Sequence, residues 1–412
     1  MAEIIPFKAI RPPRDKAHLV ATRSYVTYQP RHLNRKLLEN PFSFVHIINP
    51  EFGKKRKSRP NSDARFQKIK KRFDEFCDEG YLVQDTEDSF YIYRQITPTH
   101  SFTGIICGVA VKEYTDGHIK IHEQTLTSRV GVFTKYLDIC DFNAEPVLLT
   151  YTDKRPDIDV LIAKNMEVRP EYDFTTTDRK QHQLWTITDK SEITAIQKAF
   201  STLDCLYIAD GHHRMASSAL LNAKRSKGKT HNPKRIDNYA LALVMPDKEL
   251  NIRPFHRVIQ LGEAFDEEQF LKDLEKHFKI TKKARKYYPK ANHEFGMRLS
   301  DGWYSLKLTD KIKSDNVVDH LDPMILTRTV LEPKFHIMDQ KTDRRIQFIP
   351  GKEPLDRFEK GIDEGIITVL FTLYSTSTEQ LFAVSDANQL MPPKSTYVEP
   401  KLRSGLTIMK LS

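Results

Sequence analysis

The sequence predicts a mixed α/β protein of the α+β kind. Apolar residues make up 39% of the 412, enough to build a real core. Short runs such as "FYIYRQI", "PVLLTY", "CLYIA" and "YALALVM" alternate or are continuously apolar, as strands are. Runs with helical spacing lie between them, but the order of the two kinds is irregular, which argues against a clean doubly wound sheet. The length suits two or three domain-sized units. The expected division is 1–260, a core with an N-terminal elaboration, and 261–412, an α/β region whose tail is free to fold back on the site.

The elements follow in order. The first thirty residues are irregular and contain prolines. "KKRKSR" (Lys54 to Arg59) leads into a basic helix in which Phe66, Ile69, Phe73 and Phe76 recur at helical spacing, ending near Gly80. Strands are expected at "YLVQ", at "FYIYRQI" and from Phe102 to Tyr114. Asp116-Gly117 turns into a strand that ends on His122-Glu123. Thr127 or Ser128 is placed to cap a helix with Val132, Phe133, Tyr136 and Leu137 as its apolar stripe. "PVLLTY" is a buried strand, "DIDVLIAK" a helix, and strands follow near Tyr172 and Trp185. A helix begins at or just before Ser191, "CLYIA" is a buried strand, and "RMASSALLNAKRSKGK" is helical up to Gly228. "YALALVM" and "LNIRPFHRVI" are strands. Beyond them come a helix at Asp266 to Phe278, a hairpin at "SDGW", helices near Met324 to Leu331 and Leu355 to Glu364, the strand "IITVLFTL", a last helix, and the Pro-rich tail "MPPKSTYVEPKLRSGL".

Composition excludes several classes. No apolar run approaches the roughly 18–20 residues of a membrane span, and the N-terminus lacks the features of a signal peptide. Cys77, Cys107, Cys140 and Cys205 form no C-x-x-C pair, so neither a disulfide framework nor a thiolate zinc site is indicated. A reduced, cytoplasmic protein is the simplest expectation, with no membrane partner and room for a homodimer. The net charge of +10 is concentrated in the 54–72 stretch. A solvated helix face explains that charge, and no zinc finger, RRM aromatic pattern or helix-turn-helix supports nucleic-acid binding.

The chemistry concentrates in "ADGHHR". Gly211 permits a sharp strand-to-helix turn, and the free amides of a helix start make an anion site. Arg214 adds a bidentate phosphate donor, Asp210 is placed to hold Mg²⁺ or orient a hydroxyl, and His212 or His213 to exchange protons or steady a transferring phosphoryl group. The plainer alternative is a capped helix with core histidines. "HIKIHEQTLTSR" offers Glu123 as a base and Arg129 near a helix start. In "RPFHRVI", alternation puts Arg253 and Arg257 on one cationic face and His256 on the other. The tail offers Lys394 beside two hydroxyls. A metal set such as His122, Glu123, His212 and His256 is conceivable, but adjacent histidines point apart and no H-E-x-x-H spacing is present, so no zinc is expected.

Taken together, "YIYRQ", "FTGIICGVAV", "HEQTLTSR", "FNAEPVLLTY", "YIADGHHRMASSAL", "RPFHRVI" and "MPPKSTYVEPKLRSGL" resemble a prokaryotic domain-of-unknown-function family, number 1015. "RSYVTY" and "NPFSFVHIINPE" are similar to its Bacteroidetes branch. The Asp-Gly-His-x-Arg core also resembles the ParB/sulfiredoxin fold, which includes nucleotide-dependent free-serine kinases. That resemblance implies a nucleotide-binding core elaborated by extra strands and helices. Its phosphates would lie on the segment matching Asp210, Gly211, His212 and Arg214, and an acid would activate the acceptor hydroxyl. His213 falls at the variable place, and Glu123 is the residue on which the acid falls. Ser24-Tyr25-Val26 departs from the family's Pro-Tyr-Asp, and Gly131 stands where an acidic residue is expected, weakening its helix by about 1 kcal/mol relative to alanine.

The function expected is a nucleotide-dependent phosphotransferase acting on a small hydroxylated metabolite, with free L-serine the best single candidate. ATP or ADP with Mg²⁺ at Asp210 would be the cofactors, and Gly211, Arg214, Arg129, Arg253, His256 and Lys394 the binding residues. Two other classes compete: a non-catalytic or slowly hydrolysing nucleotide-binding regulatory module, and a DNA-associated factor using Lys54 to Arg72.

Overall fold

The apolar runs pair into one nine-stranded sheet. Its strands are β1 (Ile4–Ile5), β2 (Phe90–Ile96), β3 (Ser101–Ala110), β4 (Ile119–Lys120), β5 (Val147–Tyr151), β6 (Tyr172–Thr175), β7 (Gln181–Ile187), β8 (Leu206–Asp210) and β9 (Tyr239–Pro246). The order is β6-β7-β2-β3-β9-β5-β8-β4, with β1 on β3. Two pairings are parallel, β9 with β5 and β8 with β4. The others are antiparallel, so the sheet is mixed and the fold is mixed α/β. The computed structural model describes residues 2–24, 28–152, 154–228, 230, 232–262, 265–309 and 312–412. Tyr25 and Val26 of the departing triplet lie outside the described residues.

Among the helices of this part of the chain are α1 (Asp63–Asp78), α2 (Thr127–Cys140), α3 (Pro156–Asn165), α4 (Lys190–Ser201) and α5 (His212–Ser226). Ile158 and Ile162 of α3, Ile196 and Phe200 of α4, and Met215 of α5 share one core with Ile92, Val147, Leu149, Ile208 and Val244 of the strands. Full burial of each such side chain contributes roughly 1.5–3 kcal/mol. The basic helix α1 buries Phe66, Ile69, Phe73 and Phe76, as their spacing predicts, and Ser62 caps it. Some of its charge is spent internally. The buried Glu51 carboxylate accepts from Arg65 at 2.6 Å, from the Ser58 hydroxyl at 2.6 Å and from Lys68.

Helix α2 differs from its expectation. Leu126 precedes it, with no side-chain cap, so neither Thr127 nor Ser128 plays that part. Its buried residues are Val130, Thr134, Leu137 and Cys140, with Val132 and Tyr136 half-buried against the core of α1, so that of the four stripe residues expected it is Phe133, 42% exposed, that faces out. A second face of α2 meets α5: the Thr134 hydroxyl bonds the Val130 carbonyl at 2.8 Å, and the Ser217 hydroxyl of α5 bonds the same carbonyl at 3.2 Å.

Two units result, Met1–Leu250 with Pro400–Ser412, and Asn251–Glu399. The division expected after residue 260 differs from this one in its boundary, because the strands around Pro254 open the second unit. The end of the chain returns to the first. There, Arg403–Ser404 pairs with Thr22–Arg23, and Met409–Lys410 with Phe142–Asn143.

The second unit contains β10 (Asn251–Arg253), β11 (Phe255–Ile259), β12 (Phe278–Lys283), β13 (Glu294–Leu299), β14 (Gly302–Leu308), β15 (Ile346–Pro350), β16 (Val369–Leu373) and β17 (Tyr397–Glu399). Six of them form an antiparallel sheet, β12-β14-β13-β16-β11-β15, and β10 pairs with β17 apart from it. The single strand expected at "LNIRPFHRVI" is therefore two, because Pro254 has no N–H to give a ladder. Arg253 and Arg257 accordingly share no cationic face. Arg257 is 1% exposed and donates to the carbonyls of Phe255, Pro393 and Lys394, and burial pushes its guanidinium down to about 9. The helix expected over Asp266 to Phe278 stops at Leu274, and Phe278 begins β12.

Candidate functional site

One parallel pairing assembles the site. Leu206 and Tyr207 of β8 lie opposite Ile119 and Lys120 of β4. Asp210 lies three residues past Tyr207, and Glu123 three past Lys120. The register thus delivers both carboxylates to the same end of the sheet. On its other side β8 pairs with β5, where the register shifts between Ile208 and Asp210, so Ala209 is a bulge. A bulge re-aims the side chain after it. Here that side chain is Asp210, which emerges from four buried residues.

Gly211 makes the turn into α5 at φ 104°, a conformation that an L side chain resists. A Cβ there would also lie 2.8 Å from the Arg214 guanidinium, which folds back over the turn. Arg214 Nη1 donates to the Pro146 carbonyl at 2.6 Å and Nη2 to Asp210 Oδ2 at 3.2 Å. Lys401 Nζ approaches the same Asp210 oxygen at 3.4 Å. Glu145 completes the cluster. One of its oxygens accepts from the Ser404 hydroxyl at 2.7 Å, and the other lies 4.0 Å from Arg214. On this side of the turn the carboxylates of Asp210 and Glu145 thus meet the cations of Arg214 and Lys401. The Arg214 and Met215 amides both bond the Gly211 carbonyl, while those of His212 and His213 precede the first intrahelical bond.

The histidines lie on the β4 side. His212 is buried, and its Nε2 accepts the His122 main-chain N–H at 3.4 Å. Its Nδ1 is 3.8 Å from Glu123 Oε2. Burial, then the neighbouring His122, His213 and Arg214, hold the His212 ring well below its ordinary pKa, so it is a neutral imidazole. His122 stands perpendicular to it, with centroids 4.5 Å apart, and burial pushes its pKa down to about 4 against the opposing charge of Asp210. His213 Nε2 accepts the Leu126 N–H at 3.0 Å. Glu123 is half exposed.

Asp210, Gly211, His212, His213, Arg214 and Glu123 therefore converge. Arg129 is exposed on the first turn of α2. Arg253, His256 and Lys394 belong to the second unit and are engaged there. Arg253 donates to Glu399 at 2.8 Å. His256 is buried, accepts the Leu373 N–H at 3.2 Å, and is pushed down to about 4 by burial and then by Arg257. The Lys394 ammonium lies 5.4 Å from the Phe255 ring centroid. Glu145, Lys401 and Ser404 had no role in the sequence reading. All three stand in runs that carry the family resemblance, "FNAEPVLLTY" and "EPKLRSGL", and that was the available signal.

No group of three or more metal-ligating side chains occurs among the described residues. Asp210 already faces Arg214 and Lys401, so a divalent ion would reach it chiefly in the company of a ligand's phosphates, the usual manner of Mg²⁺.

Comparison with known proteins gives the kinship. The model of a family described as "Protein of unknown function (DUF1015)" matches residues 4–324. The chain belongs to this family. No curated protein matches it. Among solved structures, a free serine kinase in complex with AMP is 10% identical, with 74% of this chain and 91% of that chain covered and a TM-score of 0.38. SbnI with a C-terminal truncation, from Staphylococcus aureus, is 12% identical over 74% and 87%, with a TM-score of 0.39. A conserved hypothetical protein from Pyrococcus furiosus is 12% identical over 74% and 95%, with a TM-score of 0.36. Likeness of this degree leaves the function of the DUF1015 chain to be argued from its own site. No helix among its described residues is long and apolar enough to cross a membrane.

Proposed function

We propose that this chain is a nucleotide-dependent phosphotransferase acting on a small hydroxylated metabolite, with free L-serine the first acceptor to test. The observation that carries the reading is the convergence of Glu123 with the Asp210–Arg214 turn, from segments almost ninety residues apart. The first amides of α5, Arg214 and Lys401 offer positive charge for the phosphates of ATP or ADP. Glu123, half exposed and beside a neutral imidazole, is placed to accept the proton of an acceptor hydroxyl. Asp210 orders the two cations. Any Mg²⁺ would neutralise phosphate charge and would come with the nucleotide, with Asp210 its nearest protein ligand.

The test is phosphate transfer from ATP, ADP and pyrophosphate to a panel of small alcohols, L-serine included. Glu123→Gln should lower kcat by about 10²–10⁴-fold, the usual worth of a positioned base, and leave nucleotide binding intact. Equal turnover by the wild type and Arg214→Ala would remove the turn from the mechanism. One feature favours a second reading, a binding module without turnover: Arg214 is spent on Asp210 and Pro146 and would have to be drawn off them by a ligand. Thermal shifts with nucleotide, but no product on any acceptor, would select that module.

A further inference from the structure

The two imidazoles after Gly211 face main chain. His212 Nε2 lies 3.4 Å from the His122 amide nitrogen, and His213 Nε2 lies 3.0 Å from that of Leu126. An amide nitrogen only donates, so each Nε2 presents its lone pair and each ring carries its proton on Nδ1. The two anchored amides bracket Glu123: His122 precedes it directly and Leu126 follows three residues later. Successive residues of a helix point about 100° apart. That divergence defeats chelation of one ion, yet it suits two anchors on one short segment.

We infer that His212 and His213 are positioning residues, whose Nε2 atoms clamp the two ends of the His122–Leu126 segment and hold Glu123 against the start of α5. The inference rests on the reading of Glu123 as the base and narrows it: neither Nε2 is available to move a proton or to cover a phosphoryl group. Burial keeps His212 neutral, as an acceptor must be. The fixed tautomer also turns its Nδ1–H toward Glu123 Oε2, 3.8 Å away.

Glutamine and leucine at position 213 separate the roles. A Gln side-chain oxygen can take the place of Nε2, whereas Leu keeps bulk without an acceptor. Two readouts are needed on the full chain: peptide-level hydrogen exchange over residues 121–127, and kcat with KM for phosphate transfer. His213→Leu should speed exchange of the segment by about 10-fold or more, the factor expected from one lost hydrogen bond. It should also lower kcat by about 10²-fold, as a base displaced by an ångström does. Nucleotide KM should stay within about twofold, because the phosphate-facing groups are untouched. His213→Gln should restore both readouts. The same pair at His212 is the second set, with melting curves to verify folding. A His213→Gln enzyme as inactive as His213→Leu, with the segment still protected, would show that the imidazole acts chemically and overturn the clamp. Unchanged exchange in His213→Leu would overturn it as well. If the wild type transfers no phosphate, the proposed function fails, and the exchange experiment alone decides the clamp.

Discussion

Gly211→Ala tests the geometry of the turn and its bond to Arg214 together. At φ 104° an alanine is strained by about 1–3 kcal/mol. Its Cβ would also fall 2.8 Å from the Arg214 Nε and Nη2 atoms, so the guanidinium must shift. A shift off the turn breaks at least one of the bonds to Pro146 at 2.6 Å and Asp210 at 3.2 Å, on a side chain only 20% exposed. One bond to a charged group of this kind contributes about 1.5–3 kcal/mol. Gly211→Ala should thus cost the strain plus that bond, Arg214→Ala both bonds, and the double variant the strain plus both bonds once. The double-mutant cycle should therefore be subadditive by about 1.5–3 kcal/mol, well beyond the few tenths typical of independent sites. Urea unfolding is the assay, in a Trp303→Phe background so that Trp185 alone reports on the first unit. Additivity within about 0.5 kcal/mol would refute the folded-back arginine.

Two other predictions concern stability. Gly131 lies in the exposed middle of α2, and a Cβ there meets nothing within 4 Å. Gly131→Ala should raise the urea midpoint by the equivalent of up to about 1 kcal/mol, with an unchanged slope. Asp322 of the second unit accepts the His293 N–H at 2.7 Å, but burial raises its pKa to about 7 and its second oxygen has no partner among the described residues. The native state then keeps a proton that the unfolded chain gives up near pH 4. Stability should fall as pH rises from about 4 to 7, by something of the order of 4 kcal/mol in all, and level off above that. Asp322→Asn should flatten the profile, read by Trp303 fluorescence in urea series at stepped pH. A profile that keeps its slope in the Asn variant would place the titration elsewhere.

Much of the fold was legible because its signals are local. The spacing of Phe66, Ile69, Phe73 and Phe76 gave the face of α1, and the unbroken apolarity of "PVLLTY" and "CLYIA" gave two central strands. The misread elements failed for reasons outside the local pattern. Helix α2 kept Val132, Tyr136 and Leu137 of its stripe but buries Val130 and Thr134 as well, because a second face meets α5, and "LNIRPFHRVI" split because Pro254 ends a ladder that alternation alone would continue. A tail folding back on the site was among the expectations, but the pairing that returns it, Arg403–Ser404 with Thr22–Arg23 almost four hundred residues earlier, is one that no window of sequence can carry.

The candidate site divides along the same line. The Asp210–Arg214 turn announces itself because its parts are consecutive: a glycine that must take positive φ, an acid before it and a cation after it. The partnership with Glu123 does not, because it is made by a strand only two residues long. The strand expected after the Asp116-Gly117 turn runs on to His122-Glu123, but only Ile119–Lys120 of it pairs, and its register with Leu206–Tyr207, which no local pattern carries, sets where Glu123 lies relative to Asp210. A slip of one residue would flip the side chains that follow to the other face. So short a pairing specifies register weakly by itself. That is a physical reason for the paired histidines: with His212 and His213 each taking one amide of the His122–Leu126 segment, the register is fixed from beyond the strand's end. The same need explains two adjacent imidazoles where a cap would need one residue and a metal site would need a different spacing.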